Sequence, residues 1–242
     1  MNPTIAIFGS SRATSDQPLY RDAFKLGRTL AEAGFVITNG GYGGLMEATG
    51  LGAAEAEGTV SGVTAPEVFP QRNGPNSSIS EEVEAATIGL RIAHLVDAAD
   101  ATIALPGSLG TTAEFIVAWN TSFVAPMSGR RPKPNLAVGP RLRHLVEHLS
   151  EELGADASLV TCVDSMSEAA EIIIDHFDVP RQSRDRFYAD GSETHATSTA
   201  SHMQGGHAPL RGGPERRPEH SPTDLCSVLS GVDRPDRRGR TS

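Results

Sequence analysis

Short apolar runs bounded by turn residues recur along the chain at Thr4–Phe8, Phe35–Thr38, Thr59–Val63, Ala101–Leu105, Asn135–Val138 and Leu159–Val163. Between and after them, apolar residues return at helical spacing over Leu19–Ala33, Leu45–Glu57, Ser80–Ala99, Thr112–Phe123, Arg141–Leu153 and Ser167–Phe177. Continuous apolar strands alternating with amphipathic helices predict right-handed crossovers and a parallel sheet buried on both faces. The expected class is therefore α/β, a Rossmann-like parallel sheet with helices on both faces, in a single domain over residues 1–180. Ligands of such sheets bind outside the carboxyl ends of the strands.

Past Arg181 the composition turns to Arg, Ser, Gly, Pro and His, as in Gln204-Gly205-Gly206-His207, without a periodic apolar face. Residues 181–242 are expected to be a disordered low-complexity tail. Its arginines stand among Asp and Glu with few aromatics, the pattern of a solvated tail rather than of an RNA binder. The segment Val68–Ser78 is a long irregular connection, the kind that often serves as a functional lid or is simply surface loop.

Net charge is −9, which argues against a nucleic-acid partner, since a phosphate-coating surface needs an excess of Lys and Arg. No basic segment precedes a signal-length apolar run, and no stretch approaches the ~18 apolar residues of a membrane span. The reading is a cytoplasmic protein with no membrane partner. Cys162 and Cys226 form neither a metal spacing nor a disulfide framework and are expected to be reduced thiols. His144 and His148 share a helix face, but no glutamate follows His144 as in a zinc-protease helix, and no metal is expected.

Three glycine-bearing turns follow strands. Gly9-Ser10-Ser11-Arg12 comes after the first and lacks the second and third glycines of the dinucleotide fingerprint, which disfavours a NAD dehydrogenase. Asn39-Gly40-Gly41-Tyr42-Gly43-Gly44-Leu45-Met46 has more glycine than a tight turn needs, and lets the backbone approach a ligand closely. Pro106-Gly107-Ser108-Leu109-Gly110-Thr111-Thr112-Ala113-Glu114 passes from an apolar run into a helix, whose free N–H groups and dipole suit a phosphate. Thr111 and Glu114 also have the spacing of a capping box, so the motif alone leaves a structural role open for Glu114.

With all three turns in order, residues 4–178 resemble the Lonely Guy family, often called lysine decarboxylase-like. The resemblance implies a Rossmann-like, usually dimeric fold that hydrolyses the N-glycosidic bond of nucleoside 5′-monophosphates, such as cytokinin nucleotides, without a cofactor. It places the catalytic pair on Arg91 and Glu114, with phosphate and ribose held by Gly9, Ser10, Ser11, Gly40, Gly41, Gly43, Gly44, Met46, Pro106, Gly107, Ser108, Leu109, Gly110 and Thr111. A carboxylate beside an oxocarbenium-like ribosyl centre stabilises its charge or orients water, the work expected of Glu114. Arg91, set between Leu90 and Ile92, is otherwise read as an exposed or snorkelling side chain.

The chain departs from the family at Thr87-Ile88-Gly89-Leu90-Arg91-Ile92, which keeps only the arginine, and at Ser108 and Asn39, each in place of a glycine. A silent nucleotide or molybdenum-cofactor-type carrier on the same fold is the alternative. Lysine decarboxylation through pyridoxal phosphate has no suitable lysine, since Lys25 and Lys133 both lie outside the turns. Trp119, with Phe115 and Phe123 at i−4 and i+4, forms a face expected to pack internally or against the twofold partner of a homodimer.

Overall fold

The structure is a computed structural model that describes residues 2–177; the expected tail lies outside them. Seven strands, β1 (Thr4–Phe8), β2 (Val36–Asn39), β3 (Val60–Thr64), β4 (Glu81–Glu84), β5 (Ala101–Ala104), β6 (Asn135–Val138) and β7 (Thr161–Val163), form one sheet in the order β4-β3-β2-β1-β5-β6-β7. Every pairing is parallel. The helices are α1 (Pro18–Glu32), α2 (Leu45–Glu55), α3 (Ile88–Ala98), α4 (Leu109–Val124), α5 (Pro140–Leu153) and α6 (Met166–His176).

Side chains alternate across the sheet, and each face meets its own helix layer. Ile5 and Ile7 of β1 and Ile103 of β5 pack with Leu26 and Leu30 of α1, Ala48 of α2 and Ile173 of α6. Ala6, Phe8 and Ala104 point the other way, into a second cluster with Leu95 of α3, Phe115 and Trp119 of α4 and Val146 of α5. The α/β class expected from the pattern is the observed one. Phe115 and Trp119 pack internally, with ring centroids 5.9 Å apart and the indole N–H donating to the Asp156 carbonyl at 2.9 Å. Phe123 is exposed.

The helix expected over Ser80–Ala99 is instead a strand followed by a shorter helix. Glu81–Glu84 pair with Ser61–Thr64 as β4, all four residues exposed at the sheet edge. Ser80 locks the register, its hydroxyl donating to the Val60 carbonyl and accepting from the Val60 N–H, both at 3.0 Å. A row of glutamates on an edge strand discourages pairing with another chain. α3 then starts at a cap, the Thr87 side chain accepting from the Leu90 N–H at 3.2 Å. Among the described residues no helix is long and apolar enough to cross a membrane.

Candidate functional site

The strand order reverses direction between β1 and β5, and the loops leaving these two strands are tied together there. The Ser10 N–H donates to the Pro106 carbonyl at 3.2 Å, and the Ser10 carbonyl accepts from Leu45, the first residue of α2, at 2.8 Å. Gly44 precedes that helix at φ +75°, with Ser10 and Ser11 backbone packed where a side chain would be. All three turns therefore converge at the carboxyl edge of the sheet. Asn39, a departure from the resembled motif, closes the middle turn from within. It is fully buried, its amide nitrogen donating to the Met46 carbonyl at 3.0 Å and its oxygen accepting from the Gly41 N–H at 2.8 Å.

The third turn feeds α4 without a side-chain cap. Ser108 holds the cap position in extended backbone (φ −115°, ψ −159°), but its hydroxyl makes no capping bond. Thr111 lies inside the first turn, buried with its side chain against Gly107. The capping box that Thr111 and Glu114 would make is not formed, because the helix begins at Leu109 and Glu114 falls in its second turn, facing Arg91. An uncapped start leaves the first-turn N–H groups and the positive dipole end for another acceptor. Gly43 and Gly110 have open space where a Cβ would stand and no positive φ, so nothing in the chain's own packing requires glycine at either place.

Arg91 is buried rather than snorkelling, at 7% exposure. Its guanidinium donates to the Val63 carbonyl (Nε, 2.8 Å), the Gly40 carbonyl (Nη2, 2.9 Å) and Glu114 Oε1 (Nη1, 3.1 Å). It thus joins the end of β3, the glycine turn and α4. A side chain at Gly40 would overlap Nη2, which explains that glycine. Burial pushes the Glu114 carboxyl above its ordinary range and Arg91 draws it part of the way back; burial likewise lowers Arg91, with Glu114 opposing.

The long loop between β3 and β4 is tied to the glycine turn by hydrogen bonds. The Asn76 N–H donates to the Gly41 carbonyl and its amide to the Tyr42 carbonyl, both at 2.8 Å, while the Tyr42 hydroxyl accepts from the Ala65 N–H at 2.8 Å. An open cleft of about 360 Å³ lies between this loop and the first two turns, lined by Ser11, Tyr42, Gly43, Glu47 and Arg72–Asn76. Glu47 is anchored by the Tyr20 hydroxyl, which donates to it at 3.2 Å. Burial and the Glu47 charge raise Tyr20 to about 12, so that hydroxyl remains a donor through the alkaline range. Arg72, Tyr42 and Asn76 carry no motif signal of their own, though they lie in the long loop and the glycine-rich turn that the sequence singles out.

A larger cavity, about 870 Å³, opens between α1 and α6 and shares only Pro106 with the three turns. Cys162 is half-buried in β7, its thiol pushed up by burial. His144 and His148 stack at 6.5 Å on α5.

Residues 2–130 match the SLOG cluster4 family. An uncharacterized protein of Archaeoglobus fulgidus is 31% identical over 115 residues, 47% of this chain and 72% of that protein. Among solved structures, the molybdenum cofactor binding protein of Rippkaea orientalis superposes with a TM-score of 0.59 at 23% identity, over 73% of this chain and 98% of that one. The molybdenum cofactor carrier protein of Chlamydomonas reinhardtii gives a TM-score of 0.59 at 21% identity, over 74% and 99%. At these identities the likeness is one of fold.

Proposed function

The chain belongs to the SLOG cluster4 family, and from that premise we propose that it binds a small phosphorylated ligand, of the nucleoside 5′-monophosphate or phosphorylated-cofactor class, and holds it without transforming it. The observation that carries this reading is the bare backbone at the sheet's switch point: Gly43 and Gly110 are glycines that the fold does not need, beside an α4 start that no side chain caps. Glycine inside a helix costs stability, and its use there is accounted for by an anion approaching the first-turn N–H groups. Phosphate would lie against Gly107–Thr111, with Gly9–Ser11 and Gly40–Gly44 closing around the remainder. A carrier needs these turns and no acid at a reacting carbon. Two fold neighbours are named as a molybdenum cofactor binder and carrier, which agrees with a holding role.

A second reading, the hydrolysis of a nucleoside 5′-monophosphate to free base and ribose 5-phosphate, is favoured by one observation. Glu114 is retained beside Arg91, and the guanidinium engages a single carboxylate oxygen, Oε1. The second oxygen would face the ribosyl centre, where it stabilises positive charge or takes a proton from water. Against it, Arg91 already donates to three protein acceptors and Glu114 is 8% exposed, so the pair serves as a clamp. Neither reading calls on a metal or a resident cofactor. A homodimer belongs to the same proposal, supported by exposed Ile88 and Leu90 on α3 and Val117 and Phe123 on α4.

Calorimetric titration with AMP, ribose 5-phosphate and adenosine, combined with chromatography of the incubated mixtures, tests both. Binding of the phosphorylated compounds with no free base is the expected result. Release of adenine that Glu114→Gln abolishes would replace the first reading by the second. No binding of any phosphorylated compound would end both.

A further inference from the structure

Arg72 shares the cleft with Gly43, and it is held in an unusual way. Its guanidinium carbon lies 4.3 Å from the ring centroid of Tyr42 and 4.5 Å from that of Phe69, two rings that meet edge to face at 5.6 Å. Tyr42 is itself fixed through its hydroxyl bond to Ala65 and the Asn76 bond to its carbonyl. The two rings therefore hold the guanidinium by cation–π contact, which spends none of its N–H donors. Among the described residues the Arg72 side chain makes no hydrogen bond or ion pair, its only hydrogen bonds being those of its backbone to Phe69 and Gly74, and Glu47 lines the same cleft without coming within 4.0 Å of it. Arg91 differs: three of its five donors are taken by Val63, Gly40 and Glu114.

Resting on the ligand site proposed above, we propose that Arg72 is its anion-selecting residue, gripping a phosphomonoester from the loop side through its in-plane N–H groups. The aromatic pair holds the guanidinium in the cleft before any ligand arrives, which lowers the ordering cost of a bidentate contact to phosphate oxygens. Glu47, which lines the same cleft, excludes a second anion and suits hydroxyl donors such as those of a ribose. The cleft thus favours a ligand with one anionic end and a polyhydroxylated body, as in a sugar or nucleoside monophosphate.

The test is titration of AMP, ribose 5-phosphate and adenosine into the wild-type chain and into Arg72→Gln, Arg72→Lys and Phe69→Leu, with circular dichroism to check folding. Arg72→Gln should weaken both phosphorylated compounds by about 10- to 150-fold, the range of hydrogen bonds to a charged group, and leave adenosine unchanged. Arg72→Lys should restore part of that loss, since it keeps the charge and loses the fork. Phe69→Leu, which keeps every donor and removes one ring, should weaken the same two compounds by a smaller factor. Equal affinity of wild type and Arg72→Gln for AMP would overturn this inference and leave the ligand site standing. Failure of the wild-type chain itself to bind either phosphorylated compound would instead remove the site on which the inference rests.

Discussion

Arg91 and Glu114 hold each other in a place where neither charge is cheap to leave alone. Removing one partner of a buried ion pair typically costs about 3–5 kcal/mol, because the remaining charge is uncompensated, whereas replacing both by apolar residues is often neutral. Arg91→Met should therefore destabilise the chain by about 3–5 kcal/mol in urea titrations, and Arg91→Met/Glu114→Met should recover most of the loss. The single variant also has a sign in pH. Burial raises Glu114 in the folded state, and deleting Arg91 removes the interaction that opposes the rise. A raised folded value gives stability that is present below the unfolded carboxylate range and lost as pH rises through the folded value. Arg91→Met should accordingly gain on wild type when acidified and fall behind as pH rises; a stability gap that stays constant from acid to neutral pH would show that Glu114 is not the uncompensated charge. Both residues were legible in the motifs. Their partners were not, because the Val63 and Gly40 carbonyls are backbone groups whose positions follow from the fold, and Asn39 looked like a departure although it closes its turn better than a glycine would.

At the scale of elements, α4 has an uncapped start, which the proposed ligand site would use at the expense of the helix. Gly110 stands in its first turn with room for a side chain, and Ser108 caps nothing. Gly110→Ala should stabilise the protein by about 0.5–1 kcal/mol from helix propensity. Ser108→Asp should add about 0.5–2 kcal/mol by supplying a cap. Both should weaken AMP, the first by covering the backbone and the second by placing a carboxylate where phosphate would lie. Melting temperature and calorimetric affinity moving in opposite directions is the expected signature; a joint rise would separate α4 from the ligand. The helical periods of α1, α5 and α6 were readable because each buries a stripe, whereas α2 is buried on nearly all sides and was marked by the glycine turn before it. β4 was not, since Glu81–Glu84 bury nothing and their strand state is set by backbone pairing with β3 and by Ser80, neither of which leaves a periodic trace.

Among the described residues one cleft lies at the glycine turns and a larger cavity between α1 and α6, and the topology of the sheet bears on the choice between them. Parallel strands point all their carboxyl ends to one edge, and where the order reverses the loops from β1 and β5 diverge to opposite faces and leave a crevice. Ser10 bridges that crevice to Pro106 and Leu45, so a ligand bound there touches segments nearly a hundred residues apart in sequence. The cavity between α1 and α6 is larger, but its floor is made by Leu26, Val138, Met166 and Ala170, with only Pro106 drawn from the three turns. Size alone would choose it; the proposed site rests instead on the bare backbone donors of the three turns. Hydrogen exchange with and without AMP distinguishes them for the molecule as a whole. Protection should appear together at residues 10–12, 41–45 and 107–112, because one ligand holds all three turns, while α1 and α6 exchange at unchanged rates. Protection confined to Asp22–Thr29 and Asp164–Ile174 would move the site to the larger cavity and leave the glycines of the turns without an occupant.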